Sequence, residues 1–129
     1  MIAVDTNVLV RFLVRDDARQ AARAAALIQA NEIWISKTAL LETEWVLRSL
    51  YGFTPESVAG ALSRLAGLRT VVLEDELAVA RALGWFKQGL DFADALHLAS
   101  TGNATRFATF DRKLARQASG TTTIETIPL

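Results

Sequence analysis

The chain has 129 residues, with 14 basic and 14 acidic side chains and no cysteine. Zero formal charge excludes a global basic field for nucleic acid, so any polyanion must meet a local basic patch or a metal ion. The lack of cysteine excludes disulfides and thiolate metal sites.

The length corresponds to one domain, 1–129, in which folding buries roughly two-thirds of the unfolded chain's surface. Half the residues are hydrophobic, which argues against disorder. The opening residues lack a signal-peptide pattern, and no apolar run reaches transmembrane length. These features predict a soluble cytoplasmic protein that does not engage a membrane.

Residues 1–4 are short and apolar and read as a buried strand. Helices follow over 6–14 and 18–30, broken around Asp16-Asp17; the second is Ala-rich, a strong helix former. Residues 32–35 read as a strand. Ser36 then caps a helix over 37–51, which Gly52 ends. Thr54-Pro55-Glu56 supplies a cap, a first-turn proline and a first-turn acid for a helix reaching about Gly67. Residues 70–73 are β-branched and strand-like. Glu74-Asp75 start a helix to about Gly89, and Asp91 opens another ending near Gly102. Residues 106–109 read as a strand, 111–118 as a helix, and about 121–127 as an edge strand. Strands alternating with helices predict an α/β domain with a mainly parallel sheet. Ligands of such sheets bind outside the carboxyl ends of the strands, where Asp5 and Asp111 fall.

Four acids stand in apolar settings: Asp5, Glu42, Asp94 and Asp111. Gathered at about 4 Å, like charges repel by roughly 4 kcal/mol per pair at an effective dielectric near 20. A shared site for them therefore implies a cation, and carboxylate oxygens favour Mg²⁺ or Mn²⁺. Asp5 and Asp111 are also favoured N-caps, a role that leaves the second carboxylate oxygen for a metal. Glu44 has Arg48 four residues on, in the favourable order, so a surface ion pair accounts for it. Glu42 has Trp45 and Val46 at the corresponding positions and no basic partner, a costly setting unless something compensates. Asp94 shares a helical side with His97 and Thr101, opposite Phe92, Ala95, Leu96 and Ala99; Asp91 is a cap or a support behind it. His97 is a candidate base or phosphate ligand, but a lone histidine is more often structural. Thr6, Asn7 and Thr109 flank the strand-end acids, where they either orient a metal-bound water or complete the turns, and they read first as turn residues. Arg11 and Arg15 follow Asp5, and Arg112, Lys113 and Arg116 follow Asp111. They line either the approach to the acids or a solvated face.

Val-Asp-Thr-Asn-Val-Leu-Val at 4–10, Leu-Leu-Glu-Thr-Glu-Trp-Val-Leu-Arg at 40–48, Asp-Phe-Ala-Asp-Ala-Leu-His-Leu-Ala at 91–99 and Ala-Thr-Phe-Asp-Arg-Lys-Leu at 108–114 occur in this order. In these segments the chain resembles the PIN-domain ribonucleases, specifically the VapC-type toxins of toxin–antitoxin pairs. The resemblance implies a PIN-like three-layer domain, a parallel central sheet flanked by helices. It further implies Mg²⁺- or Mn²⁺-dependent endonucleolytic cleavage of RNA, with Asp5, Glu42, Asp94 and Asp111 as the catalytic, metal-holding acids and Asp91 as an additional acid. A homodimer and a small cognate antitoxin are implied as well. The antitoxin would cover apolar residues such as Val8, Leu9, Phe12, Leu13, Leu27 and Ile28, and an antitoxin arginine would approach the acids.

Competing readings are a housekeeping RNA-processing nuclease of the same fold and a non-catalytic binding module. A dehalogenase-like phosphatase would want a second Asp where Asn7 stands. A receiver domain would want adjacent acids before the first-strand Asp and a strand-end lysine, which Lys113 is not.

Overall fold

The computed structural model describes residues 1–129. Parallel strands flanked by helices make it a mixed α/β structure, in which two compact units, Met1–Glu76 and Leu77–Leu129, are distinguished.

The first unit runs β1 (Ile2–Ala3), α1 (Thr6–Val14), α2 (Ala18–Ala30), β2 (Ile33–Ile35), α3 (Lys37–Ser49), α4 (Pro55–Ala66) and β3 (Val71–Leu73). The strands form one parallel sheet in the order β1-β2-β3, with Ile2 opposite Ile33 and Ile35 opposite Leu73. Parallel neighbours need a crossover, and each connection here is a pair of helices. α1 packs on α2 and α3, and α3 packs on α4. Central β2 is the buried strand: Ile33 and Ile35 have no exposed surface. The expectation of a buried strand at 1–4 is not met, because Ile2 and Ala3 are exposed on β1. The reason lies in strand order: β1 is an edge of its sheet, and a short apolar run cannot by itself reveal edge or centre.

Because the strands are parallel, their carboxyl ends share one side of the sheet. Asp5, Ser36 and Glu74 follow those ends, and each serves a helix N-terminus. The side chains of Asp5 and Ser36 accept from Val8 N at 3.1 Å and Ala39 N at 3.1 Å. Glu74 was expected to start the next helix. Its Oε1 instead accepts from Lys37 N at 2.8 Å, giving the start of α3 a second acceptor. Thr54 caps α4 ahead of Pro55, as expected from the sequence.

The second unit runs α5 (Glu76–Lys87, whose first residue closes the first unit), α6 (Phe92–Ala99), β4 (Arg106–Thr109), α7 (Arg112–Thr121) and β5 (Glu125–Pro128). β4 and β5 pair in parallel, with Arg106 opposite Glu125, and α7 packs on both. The turn after α5 needs Gly89, whose φ of 110° would strain any side-chain-bearing residue. Leu90 N donates to Trp85 O at 3.1 Å across this turn, and Phe86 meets Phe92 edge-on at 5.5 Å. α6 stops at Ala99, so Thr101 lies beyond it rather than on its polar side.

The Glu44–Arg48 pair forms, but not as a surface pair. Glu44 is only 2% exposed, and Arg48 reaches it with Nε at 2.9 Å and Nη2 at 3.4 Å. Arg48 remains partly in solvent. The two partners are therefore unequal. Arg48→Met leaves a buried carboxylate without its cation, a defect of about 3–5 kcal/mol when a buried pair is broken. Glu44→Gln leaves a solvated guanidinium and loses about 1–3 kcal/mol of charged hydrogen bonding. Urea unfolding should place Arg48→Met below Glu44→Gln in stability; the reverse order would contradict the buried placement of Glu44.

Candidate functional site

In the first unit, Asp5 follows β1 and caps α1. Its Oδ1 accepts from Val8 N, and no protein hydrogen bond reaches Oδ2. Thr6, the first residue of α1, donates its hydroxyl to Glu42 Oε2 at 2.9 Å. One hydrogen bond thus ties the residue beside Asp5 to a carboxylate 36 positions later, on α3. The link follows from the packing of α1 on α3. Glu42 is exposed rather than pressed against apolar groups. Its distinction from Glu44 therefore lies in its Thr6 partner and outward position, not in desolvation. Thr6 reads first as a turn residue in the sequence, with orienting a metal-bound water as the alternative. A contact over this separation leaves no local trace in the sequence, so its role becomes visible only in the fold.

In the second unit, Asp91 caps α6 by accepting from Asp94 N at 3.1 Å. Asp111 caps α7 by accepting from Leu114 N at 3.0 Å, and its own N–H donates to Thr109 Oγ1 at 3.0 Å. Thr109 therefore completes the turn, as expected. Asp94 is half-buried on the first turn of α6, whose Phe92, Ala95, Leu96 and Leu98 are buried. Burial pushes the Asp94 carboxyl above the usual carboxylate range. The negative charges of Asp91 and Asp111 push it the same way, and His97 opposes them. Asp91, Asp94 and Asp111 are thus near enough for their charges to be felt at one group.

The donor set is entirely hard carboxylate oxygen, which suits Mg²⁺ or Mn²⁺ rather than a soft metal. No group of three or more His, Asp or Glu side chains is gathered at cation-holding spacing. Asp5 and Asp111 are anchored capping aspartates, and Glu42 and Asp94 lie on helices α3 and α6.

The two basic groups have different fates. Arg11 is committed elsewhere: Nη1 binds Asp16 Oδ1 at 2.9 Å, and Tyr51 donates to Asp16 Oδ2 at 3.0 Å. The Tyr51 hydroxyl, followed by Arg11, holds the Asp16 carboxyl below its ordinary range. Arg15 ends α1 in the left-handed conformation and folds back, its guanidinium 5.8 Å from the Phe12 ring centre. Neither therefore extends as a free approach to Asp5. Arg112, Lys113 and Arg116 remain exposed and form no ion pair.

A family model described as PIN domain matches residues 2–120, and the chain belongs to that family. No curated protein and no solved structure matches the chain. PIN domains are generally nucleases and generally use divalent metal ions, so the family indicates a nuclease-type function. No helix is long and apolar enough to cross a membrane.

The raised Asp94 carboxyl has a definite linkage. A carboxyl whose folded pKa exceeds its unfolded value disfavours the fold when ionised, and that liability disappears as pH falls through the folded pKa. Asp94→Asn should therefore melt higher than the parent at neutral pH without divalent metal. The gap should close on acidification. A lower melting temperature at neutral pH, measured by calorimetry, would contradict the crowding around Asp94.

Proposed function

We propose that this chain is a single PIN domain acting as a Mg²⁺- or Mn²⁺-dependent endoribonuclease, the toxin of a VapBC-type toxin–antitoxin pair. Asp5, Glu42, Asp94 and Asp111 are its metal-holding acids. The observation that carries the reading is the PIN-domain match over residues 2–120; beside it, Asp94 is a half-buried acid whose carboxyl is pushed up by burial first and then by the charges of Asp91 and Asp111. When bound, a divalent cation activates water as a nucleophile and neutralises charge on a scissile phosphate. The chain's own part is positional. The caps at Asp5 and Asp111 fix one carboxylate oxygen each and leave the other available. Thr6 holds one oxygen of Glu42, and Asp91 anchors the turn from which Asp94 projects.

A toxin needs a partner that silences it. Between α1 and α2 lies a groove of about 550 Å³, lined in part by Val8, Ala24 and Leu27, with Arg11 and Arg23 at its polar margin. This supports a helix-in-groove contact with a small antitoxin. The apolar set available to that partner is narrower than the sequence implied. Leu9 and Ile28 are core residues, at 0% and 1% exposure. A homodimer completes the proposed assembly.

Asp5→Asn, Asp94→Asn and Asp111→Asn should each cut Mg²⁺-dependent RNA cleavage while the protein stays folded. A loss of about 10²–10³ is expected, the scale for removing one charge-stabilising group from an active site. Glu42→Gln should do likewise. Glu44→Gln, assayed per folded molecule, should retain most activity. Full cleavage by purified Asp94→Asn would remove the assignment.

Sequencing RNA ends after brief induction tests the cellular role. The parent should arrest growth and produce new 5′ ends, and Asp5→Asn should do neither. Co-expression of the product of an adjacent small gene should relieve the arrest. Arrest that persisted with Asp5→Asn would replace cleavage by sequestration as the toxic mechanism.

A further inference from the structure

The start of α7 has features that holding the Asp111 carboxylate does not require. Phe110, immediately before the cap, is 81% exposed. A buried phenylalanine side chain is worth roughly 1.5–3 kcal/mol, so this ring forgoes a sizeable contribution to the fold. On the other side of Asp111, α7 begins Arg-Lys-Leu-Ala-Arg and contains no acid. Arg112 and Arg116 are four apart on one face, a like-charge spacing that costs a helix a few tenths of a kcal/mol. Neither arginine forms an ion pair. Both arginines line an open groove of about 650 Å³ that continues past Ser119 and Thr126 to Pro128 and Leu129. In a chain of zero net charge, this is a concave surface lined by two arginines that form no ion pair.

We propose that Phe110, Arg112 and Arg116 form a cradle for single-stranded RNA. A base stacks on Phe110, and the backbone phosphates run along the arginine-lined groove. Sequence-tolerant recognition of single strands combines these two elements: a basic groove for the backbone and aromatic faces for unstacked bases. A duplex keeps its bases stacked and offers Phe110 nothing. The proposal rests on the endoribonuclease reading and adds to it the surface that holds the substrate. A second copy of the chain covering Phe110 is the competing explanation for the exposed ring.

The test is fluorescence anisotropy with labelled single-stranded and duplex RNA of one mixed sequence, in Mg²⁺, using full-length protein carrying Asp94→Asn to prevent cleavage. Removing two phosphate contacts with Arg112→Gln/Arg116→Gln should weaken single-strand binding about twentyfold at 0.1 M salt. It should also lower the slope of log K against log salt by about 1.4, at roughly 0.7 per contact. Phe110→Ala should weaken binding about tenfold, within the 1–3 kcal/mol typical of one stacked base, and leave the salt slope unchanged. Arg81→Gln/Lys87→Gln on α5 removes the same charge elsewhere and should leave affinity within twofold. Parent cleavage with unaltered affinity in the Phe110 and arginine variants would overturn the cradle alone. Equal affinity for duplex would overturn it too, as would a change in sedimentation mass with Phe110→Ala at constant RNA affinity. A parent protein that neither cleaves nor binds RNA would overturn the nuclease reading instead.

Discussion

The structure depends on the use of short carboxylates as helix caps at the ends of parallel strands. A helix begins with unsatisfied N–H groups, and an aspartate at the cap accepts one of them. That bond occupies one oxygen and fixes the side chain's rotamer. The other oxygen is then held out from a rigid junction without further support. Asp5 and Asp111 are anchored in this way, each by a backbone N–H three residues on. The same bonds that start α1 and α7 therefore set the direction of two negative charges. Asp91 performs the service indirectly, ordering the first turn of α6 from which Asp94 projects.

This economy explains which parts were legible in the sequence. Caps are local, so Asp5, Ser36, Thr54, Asp91 and Asp111 could be recognised from their neighbours, and the helix starts they mark agree with the structure to within a residue. Burial is not local. The apolar run at 1–4 and the apolar run at 33–35 look alike as sequence, yet one is an exposed edge and the other the centre of the sheet. The i,i+4 spacing of Glu44 and Arg48 predicted their pairing correctly but carried no information on depth. The Thr6–Glu42 bond and the Arg11–Asp16–Tyr51 cluster join distant positions and could emerge only from packing.

Charge is distributed with similar economy. Along α1, Arg11 is absorbed by Asp16 and Tyr51, and Arg15 turns back onto Phe12. Along α7, the basic side chains remain unabsorbed. A formal charge of zero thus conceals two helices whose cations are in different states. At α1, Arg11 is paired within the fold and Arg15 lies against Phe12, whereas the basic side chains of α7 form no ion pair.

The capping of α3 by Glu74 bears on how the first unit assembles. The N–H of Lys37 is satisfied by a side chain 37 residues away, at the end of β3, and Lys37 Nζ reaches Asp75 at 3.2 Å beside it. The first turn of α3 is consequently incomplete until the third strand has docked. Nucleating a helix is its least favourable step, so withholding one acceptor from that turn delays it where a cap at Ser36 alone would not. Strand docking in turn requires closing the long segment that contains α3 and α4, an entropic cost met only when non-local contacts form. Helix initiation and sheet completion therefore become one event, and partial forms with α3 fully formed but β3 detached are disfavoured. For a strand of three residues, too short to hold its place by backbone pairing alone, this coupling makes β3 an integral part of the cooperative unit.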